Sequence, residues 1–119
     1  MGSKFTELIV DAADPRRLAE FWAAVLGWQM TGRYEGAVEI AGPPEAGSSL
    51  VFVPVPEPKT VKNRLHVDVN PLGCDQAQEV ERLIGLGARR VDVGQGEQTW
   101  VVLADPEGNE FCVLRSRLE

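Results

Sequence analysis

The spacing of apolar residues predicts a strand followed by an amphipathic helix at the start of the chain. Residues 5–12 alternate between apolar and polar types and are rich in β-formers, as in a half-buried strand. Asp14 and Pro15 suit a helix N-cap and its first position, and apolar residues then recur at i, i+3, i+4, i+7 and i+8. Gly27 suits the position after a helix. These signals predict a helix over residues 15–26.

The remainder of the chain predicts three more strands and then a second copy of the same pattern. The strands of the first half are expected at residues 28–32, 37–41 and 48–54, between Gly- and Pro-rich pieces. Residues 55–63 contain two prolines and no apolar period, which predicts an extended connector. The second half predicts a strand at 64–69, a helix between the capping residue Asp75 and Gly87, and strands at 89–93, 99–104 and 110–115.

The two halves are related by a nearly constant offset. Glu7 and His66 are 59 positions apart, as are Val53 and Cys112. Each copy is a βαβββ unit too small to bury both faces of its own sheet, so two copies should complete a core by packing together. We therefore expect an α+β fold in which two βαβββ modules form a cupped, mostly antiparallel eight-stranded sheet with two outer helices.

Length and charge limit the classes of protein to consider. The chain has 119 residues, so we expect one domain over 1–119, with module one at about 5–54, the connector at 55–63 and module two at about 64–115. The net charge is −6 with scattered basic residues, and the longest apolar runs are too short to span a bilayer, so neither nucleic acid nor membrane is an expected partner. Two cysteines without CxxC spacing, and a start without an apolar signal-peptide stretch, favour the cytoplasm.

Few residues at the repeat-related positions can do chemistry. The repeat places Glu7 and His66 on the first strands of the modules, and Val53 and Cys112 on the last strands. If a pseudo-twofold axis relates the modules, these positions converge on the concave side of the sheet, where a cavity is expected. Carboxylate, imidazole and thiolate groups bind metals, and the first two also transfer protons. Glu7 and His66 are therefore the candidate catalytic pair.

Structural roles stay open beside the functional ones. His66 can orient a neighbour instead of binding a metal or moving a proton, and Glu7 can pair with His66 or with an arginine. Cys112 can be a small buried apolar residue instead of a ligand. Trp28 and Trp100 lie on predicted strands, where an aromatic ring either lines a ligand pocket or packs in the core.

Three segments of the sequence together suggest a family. They are ADPRRLAEFWAAVLGW after the first strand, RLHVDV at the start of the second module, and VVLADPEGNEFCVL at the end. In combination they resemble the vicinal-oxygen-chelate superfamily, which includes glyoxalase I, extradiol dioxygenases, fosfomycin-resistance enzymes and bleomycin-resistance proteins. The resemblance covers essentially the whole chain and is closest to the small glyoxalase-like branch, with D-P-x-G-N at 105–109 as its most specific element. It implies a pair of βαβββ modules.

The resemblance also implies a metal site, which this sequence alters. Metal-using members place His or Gln on the first strand, Glu on the fourth, His on the fifth and Glu on the eighth, and the matching positions here hold Glu7, Val53, His66 and Cys112. Valine cannot bind a metal, and a cysteine sulfur favours Zn²⁺ over Mg²⁺ or Fe²⁺. The expected cofactor is therefore either a divalent metal held by His66, Glu7 and Cys112, with zinc preferred, or none.

Two functions follow from the resemblance. The first is a glyoxalase-like small-molecule enzyme of lyase, isomerase or dioxygenase type with an altered metal site, using Glu7 and His66 in a concave cavity. The second is a non-catalytic protein that binds a small organic molecule, as bleomycin-resistance proteins do. A homodimer is expected because a two-module cup leaves strand edges to cover. The candidate ligand-binding residues are Phe52, Trp28, Trp100 and Cys112.

Overall fold

The structure is a computed structural model, and it describes residues 1–118. The described chain forms eight strands, two α-helices and a short 3-10 helix at Pro44–Ala46. In chain order the elements are β1 (Glu7–Ala12), α1 (Pro15–Leu26), β2 (Gln29–Tyr34), β3 (Ala37–Ala41), β4 (Ser49–Pro54), β5 (Val67–Val69), α2 (Gln76–Leu86), β6 (Arg89–Arg90), β7 (Val101–Ala104) and β8 (Glu110–Val113).

The strands form two four-stranded mixed sheets with the same topology. The first has the order β1-β4-β3-β2 and the second β5-β8-β7-β6. In each sheet the first and last strands of the module pair in parallel, and the other two pairings are antiparallel. The chain divides into two compact units, Met1–Pro58 and Lys59–Glu119, each containing one sheet and one helix. The predicted α+β fold of two βαβββ modules is confirmed.

Helix α1 begins and ends at the predicted residues because the residues at its two ends cap the helix. The Asp14 carboxylate accepts a hydrogen bond from the backbone N–H of Arg17, at 3.2 Å, and Pro15 occupies the first turn, where no donor is needed. Gly27 ends the helix in the left-handed conformation, with φ of 69°.

Helix α2 has a full capping box. The Asp75 carboxylate accepts a hydrogen bond from the backbone N–H of Gln78, whose side-chain oxygen accepts one from the backbone N–H of Asp75. The side-chain amide of Gln76 donates to the carbonyls of Thr99 and Val113, each at 2.9 Å. These bonds tie the start of α2 to the end of β8.

Each module has an apolar core between its helix and its sheet. In the first, α1 packs on β3 and β4, and Leu18, Ile40 and Phe52 are fully buried. In the second, α2 packs on β8, and Leu83 and Phe111 are buried to 1% exposure or less. Burial of each such side chain contributes about 1.5–3 kcal/mol, so the amphipathic stripes of the helices account for both cores.

All four predicted strands of the second module are shorter in the structure, and β8 ends at Val113 instead of residue 115. β5 starts at Val67, so Arg64 and His66 precede the strand, and β6 stops at Arg90 instead of residue 93. After β6 the chain turns on its own side chains, since the Asp92 carboxylate accepts the backbone N–H of Gly94 at 2.7 Å. β7 starts at residue 101 rather than 99.

Candidate functional site

The strand pairing of the second module places three chemically active side chains together. His66 lies one residue before β5 and Asp68 lies within the strand, and His66 Nε2 lies beside Asp68 Oδ1. Asp68 is paired with Cys112 on the neighbouring strand β8, which brings the thiol to the same face of the sheet as Asp68. We call His66, Asp68 and Cys112 the HDC cluster.

The HDC cluster is compact and partly open to solvent. One ligand atom from each side chain lies within 4.8 Å of the others, and this is the only such group of three found in residues 1–118. His66 Nε2 lies 3.2 Å from Asp68 Oδ1, and the two side chains are 46% and 48% exposed. Cys112 is buried, at 7% exposure. The cluster therefore has a fixed thiol beneath two side chains that a ligand can reach.

The thiol of Cys112 is held in its protonated form. Burial raises the pKa of the Cys112 thiol, and the charge of Asp68 and its hydrogen bond to the thiol raise that pKa further, while the charge of Lys62 opposes the shift. A thiol with a raised pKa is a poor free nucleophile at neutral pH. In this form the thiol is a hydrogen-bond donor to Asp68, and it binds a metal only when deprotonated.

Asp68 is the member of the cluster that the sequence analysis missed. Asp68 does not occupy one of the repeat-related positions from which the candidate residues were predicted. The signal was present in the H-x-D spacing of His66 and Asp68, because alternate residues of a strand share a face. Its position opposite Cys112 depends on strand register, which no local pattern supplies.

The repeat offset is not uniform across the predicted site. In the first module Val53 pairs with Asp11, four residues after Glu7. In the second, Cys112 pairs with the aspartate two residues after His66. The positions Glu7 and His66 and the positions Val53 and Cys112 therefore cannot both be equivalent at an offset of 59. That part of the sequence prediction is wrong.

Glu7 is in the first module. It is the first residue of β1, pairs with Ser49 of β4 and is exposed. Its convergence with His66 on one cavity stays a prediction. The carboxylate that the structure does place beside His66 belongs to Asp68.

The three aromatic candidates have different environments. Phe52 is fully buried in the first module. Trp28 is half-buried, and its indole lies so close to Gly42 that a Cβ there would be 2.5 Å from Trp28 Nε1. Trp100 lies just before β7 and is 37% exposed. Trp28 therefore packs on its own module, and roles of these residues as ligand walls stay predictions.

The D-P-E-G-N segment is a hydrogen-bonded turn rather than a reactive one. Asp105 is 1% exposed, and its Oδ1 accepts the backbone N–H groups of Glu107 and Asn109, both at 2.9 Å. The Asn109 side chain donates to both Asp105 oxygens and accepts a hydrogen bond from the Asn63 side chain at 2.9 Å. The most specific element of the resemblance thus fixes the chain that leads into β8.

A separate polar groove of about 350 Å³ lies beside that turn in the second module. Its floor contains an ion pair between Lys59 Nζ and Glu110 Oε2, 3.0 Å apart, with side chains 18% and 15% exposed. Burial opposes the ionisation of Glu110, but hydrogen bonds from the Asn63 backbone and from Lys59 outweigh it and lower the pKa of that carboxyl. This ion pair joins the middle of the connector to the first residue of β8.

The chain belongs to the glyoxalase-like domain family, and with it to the vicinal-oxygen-chelate superfamily. A sequence profile of the glyoxalase-like domain matches residues 7–114. No similar sequence was found among curated proteins. Neither helix of the described chain has the length and apolar character needed to cross a bilayer.

Solved structures agree with the fold at low sequence identity. A glyoxalase/bleomycin resistance protein/dioxygenase family enzyme from Burkholderia phytofirmans PsJN is 17% identical, with a TM-score of 0.68 and coverage of 93% of this chain and 97% of that one. The fosfomycin resistance protein FosX from Listeria monocytogenes is 15% identical, with a TM-score of 0.73 and coverage of 100% and 95%. A variant of FosX solved with Mn(II) and 1S,2S-dihydroxypropylphosphonic acid is 14% identical, with a TM-score of 0.71 and coverage of 96% and 90%.

The donor atoms can be tested against the metal that the family implies. Val53 offers no donor, and Cys112 offers sulfur in place of the family's carboxylate. Cations such as Mg²⁺ and Mn²⁺ prefer oxygen ligands, so the four inherited positions do not fit them. The imidazole, carboxylate and thiol of the HDC cluster fit a softer ion such as Zn²⁺.

Proposed function

We propose that this protein is a glyoxalase-like enzyme that transfers a proton on a small organic molecule with a polar head group. The observation that carries this proposal is the contact of His66 Nε2 with Asp68 Oδ1 at 3.2 Å, between two half-exposed side chains at the start of β5. The fold supports small-molecule chemistry, since the solved structures that share it include a protein named as a family enzyme and one named as an oxidase.

His66 is the proton carrier in this proposal. A carboxylate beside Nε2 favours an N–H at that nitrogen and restricts the ring orientation. The second ring nitrogen, Nδ1, makes no hydrogen bond within residues 1–118 and is left for a ligand. Because both side chains are about half exposed, the pair contributes orientation and only ~0–1 kcal/mol of stability.

Glu7 is the candidate polar group of the first module. It begins an exposed edge strand and has no role in the core of its own module. A carboxylate there can accept a proton or a hydrogen bond from the ligand's polar head. Trp100, at 37% exposure, is the aromatic candidate best placed to contact an apolar part of the ligand.

Proton transfer favours isomerase or lyase chemistry over a dioxygenase reaction. Both of these reactions begin when a base removes a proton from carbon next to a polarised group, and an oriented imidazole performs this step. Extradiol-type chemistry needs a redox ion in an oxygen- and nitrogen-rich site. The sulfur of Cys112 does not match that requirement.

Hydrogen exchange into deuterium tests this proposal. Small α-hydroxy aldehydes and α-hydroxy ketones are incubated with the protein in D₂O, and loss of the carbon-bound proton is followed by NMR. We expect exchange catalysed by the native chain, at least about tenfold slower exchange in Asp68→Asn, and almost none in His66→Ala. Glu81→Gln, on the exposed face of α2, is the matched control. Equal exchange in the native chain and His66→Ala would exclude His66 as the carrier.

A non-catalytic binding protein is the alternative function. The substitution of Val53 and Cys112 at family metal positions favours it, because a site that has lost such ligands can still hold a molecule. Thermal-shift screening of the same compounds separates the two functions. Stabilisation by a compound that shows no deuterium exchange would indicate binding alone.

We also propose a homodimer in the cytoplasm. Leu8 and Ile9, neighbours on the edge strand β1, are 36% and 47% exposed, and an apolar strand edge of this kind is commonly covered by a partner. Cys74 and Cys112 are both free thiols, which suits a reducing compartment. Sedimentation should show a dimer at micromolar concentration, and Ile9→Lys should shift it towards the 13.0 kDa monomer.

A further inference from the structure

Two basic side chains converge on the polar groove of the second module. Arg89 and Lys59 both line the groove. Arg89 Nη2 and Lys59 Cδ lie 3.9 and 4.0 Å from the point that a Cβ on Gly108 would occupy. No other atom of residues 1–118, beyond this glycine and its two chain neighbours, lies within 4 Å of that point. The space between the two basic side chains is therefore open.

The alternation of β6 turns Arg89 towards the groove and Arg90 away from it. Arg90 Nη2 lies 3.7 Å from Glu81 Oε2 on α2, so its side chain is on the helix side of the sheet. Successive residues of a strand point to opposite faces, which places Arg89 on the helix-free face. There it lies in a row with Ala104 and Glu110, the paired positions of β7 and β8.

These groups have hydrogen-bond donors that the protein itself does not use. Within residues 1–118 the Arg89 guanidinium makes no hydrogen bond or ion pair, and Lys59 Nζ uses one of its three N–H donors, on Glu110. The Thr60 hydroxyl also lines the groove and has no partner in the same part of the chain. The Lys59 side chain is 18% exposed, so an acceptor that reaches its ammonium group is partly shielded from water, which strengthens the contact. The groove therefore offers donors to an anion.

The acidic residues of the groove limit the charge of that anion. Glu110 accepts one hydrogen bond on each oxygen, from Lys59 and from the Asn63 backbone, so its charge is balanced within the protein. Glu107 also lines the groove and disfavours a second negative charge on the ligand. A carboxylate carries one charge and matches the planar fork of the Arg89 guanidinium, whereas a phosphate monoester carries about two. A carboxylate is therefore the better fit.

We propose that this groove binds a small organic carboxylate, with Arg89 as its main contact and Lys59 and Thr60 as further donors. Glu110 and Cys112 are alternate residues of β8, so the groove opens on the sheet face that holds the HDC cluster, about 7 Å away along the strand. A carboxylate of a few carbon atoms spans that distance. This inference deepens the proposed function by assigning a carboxylate to the substrate, and it rests on that function only for the claim that the bound molecule reacts.

Titration of the full chain with propionate, followed by ¹H–¹⁵N NMR, tests the site. We expect saturable shifts of the backbone amides of Thr60 and Gly108 and of the side-chain Nε–H of Arg89, with a dissociation constant in the millimolar range. Propionamide, which has the same shape without the charge, should produce no such shifts, and inorganic phosphate should bind at least about threefold more weakly. Equal shifts with propionate and propionamide, or tighter binding of phosphate, would overturn the proposal.

The neighbouring arginines of β6 supply a matched pair of variants. Arg89→Gln should weaken propionate binding by at least about tenfold, whereas Arg90→Gln, on the other face of the strand, should leave it unchanged. Lys59 is kept, because its substitution would leave Glu110 without its cation. The dispersion of the same spectra shows that each variant is folded. Equal binding by a folded Arg89→Gln chain and the native chain would overturn the proposal.

Deuterium exchange separates this inference from the proposed function. α-Hydroxy ketones with and without a carboxylate are compared in D₂O. Arg89→Gln should raise KM for the carboxylate-bearing compound by at least about fivefold, and should leave its kcat and the KM of the neutral compound unchanged. Propionate binding without exchange of either compound would reject the proton-transfer function alone, whereas exchange without propionate binding would reject the carboxylate site alone.

Discussion

Asp68 and Cys112 lie directly opposite each other on the parallel strands β5 and β8. This pairing fixes two members of the HDC cluster, and His66 joins them from the residue immediately before β5. The geometry of the Asp68–Cys112 pair therefore depends on sheet register. A shift of one residue in either strand would turn one of these side chains to the other face of the sheet.

The exposed position of His66 predicts a functional loss without a stability loss. His66→Ala should change the free energy of unfolding by no more than about 1 kcal/mol, because the side chain is 46% exposed and gives up few contacts. Glu7→Gln should behave in the same way. Both should weaken ligand binding or turnover. Urea unfolding checks the first point, and a loss of more than about 3 kcal/mol would indicate a buried structural role.

The turn before β8 predicts a large stability loss at a residue without catalytic function. Asp105→Ala removes the buried carboxylate that accepts the backbone N–H groups of Glu107 and Asn109. We expect a loss of about 2–4 kcal/mol in urea unfolding. Asp92→Ala, which removes one exposed hydrogen bond, is the matched control and should cost less than about 1 kcal/mol. Similar losses in both variants would contradict the account of the turn.

The lowered pKa of Glu110 predicts a pH-dependent contribution to stability. A carboxyl whose folded pKa lies below its unfolded value stabilises the fold above the unfolded value, and this contribution disappears as the pH falls through the folded one. Glu110→Gln should therefore cost about 1–2 kcal/mol at neutral pH and progressively less below about pH 4.5.

The comparison is made by urea unfolding of both chains across that pH range. Glu81→Gln, whose carboxylate is 73% exposed, is the control and should show no such trend. A constant difference between Glu110→Gln and the native chain at all pH values would show that the charge of Glu110 does not stabilise the fold.

Alanine should have opposite effects at Gly42 and Gly85, because only Gly42 lies against a side chain, that of Trp28. Gly42→Ala places a Cβ 2.5–2.9 Å from atoms of the Trp28 ring, which must move, so we expect a loss of about 1–3 kcal/mol and a shift in tryptophan emission. A Cβ at Gly85 in α2 meets nothing within 4 Å, and Gly85→Ala should stabilise by about 0.5–1 kcal/mol. A harmless Gly42→Ala would show that Trp28 moves freely, as a ligand-contacting residue can.

Much of the fold was predictable because its signals are local. The capping residues Asp14 and Asp75 and the glycines that follow the helices define both α-helices within one or two residues. The turn after β2 was placed too early, since β2 continues through Gly32 with a bulge and turns only at Glu35 and Gly36. The 3-10 helix at Pro44–Ala46 was not predicted.

The candidate site was only partly predictable because it depends on register. His66 and Cys112 were identified from residue type and position, but the role of Asp68 follows from its pairing with Cys112, 44 positions along the chain. Parallel pairing joins strands that are distant in sequence, and the apolar pattern does not distinguish registers that differ by two residues. The repeat offset predicted for Val53 and Cys112 is wrong for the same reason, because it also depends on the register of parallel strands.

The central claim is that His66, Asp68 and Cys112 form one site, and nitrogen NMR of the imidazole tests it most directly. His66 is the only histidine in the chain, so its ring signals need no further assignment. The account predicts that the metal-free protein carries the ring proton on Nε2, and that Asp68→Asn and Cys112→Ser both shift the ring signals while Cys74→Ser does not. Ring signals that match free histidine and are the same in all four proteins would contradict it.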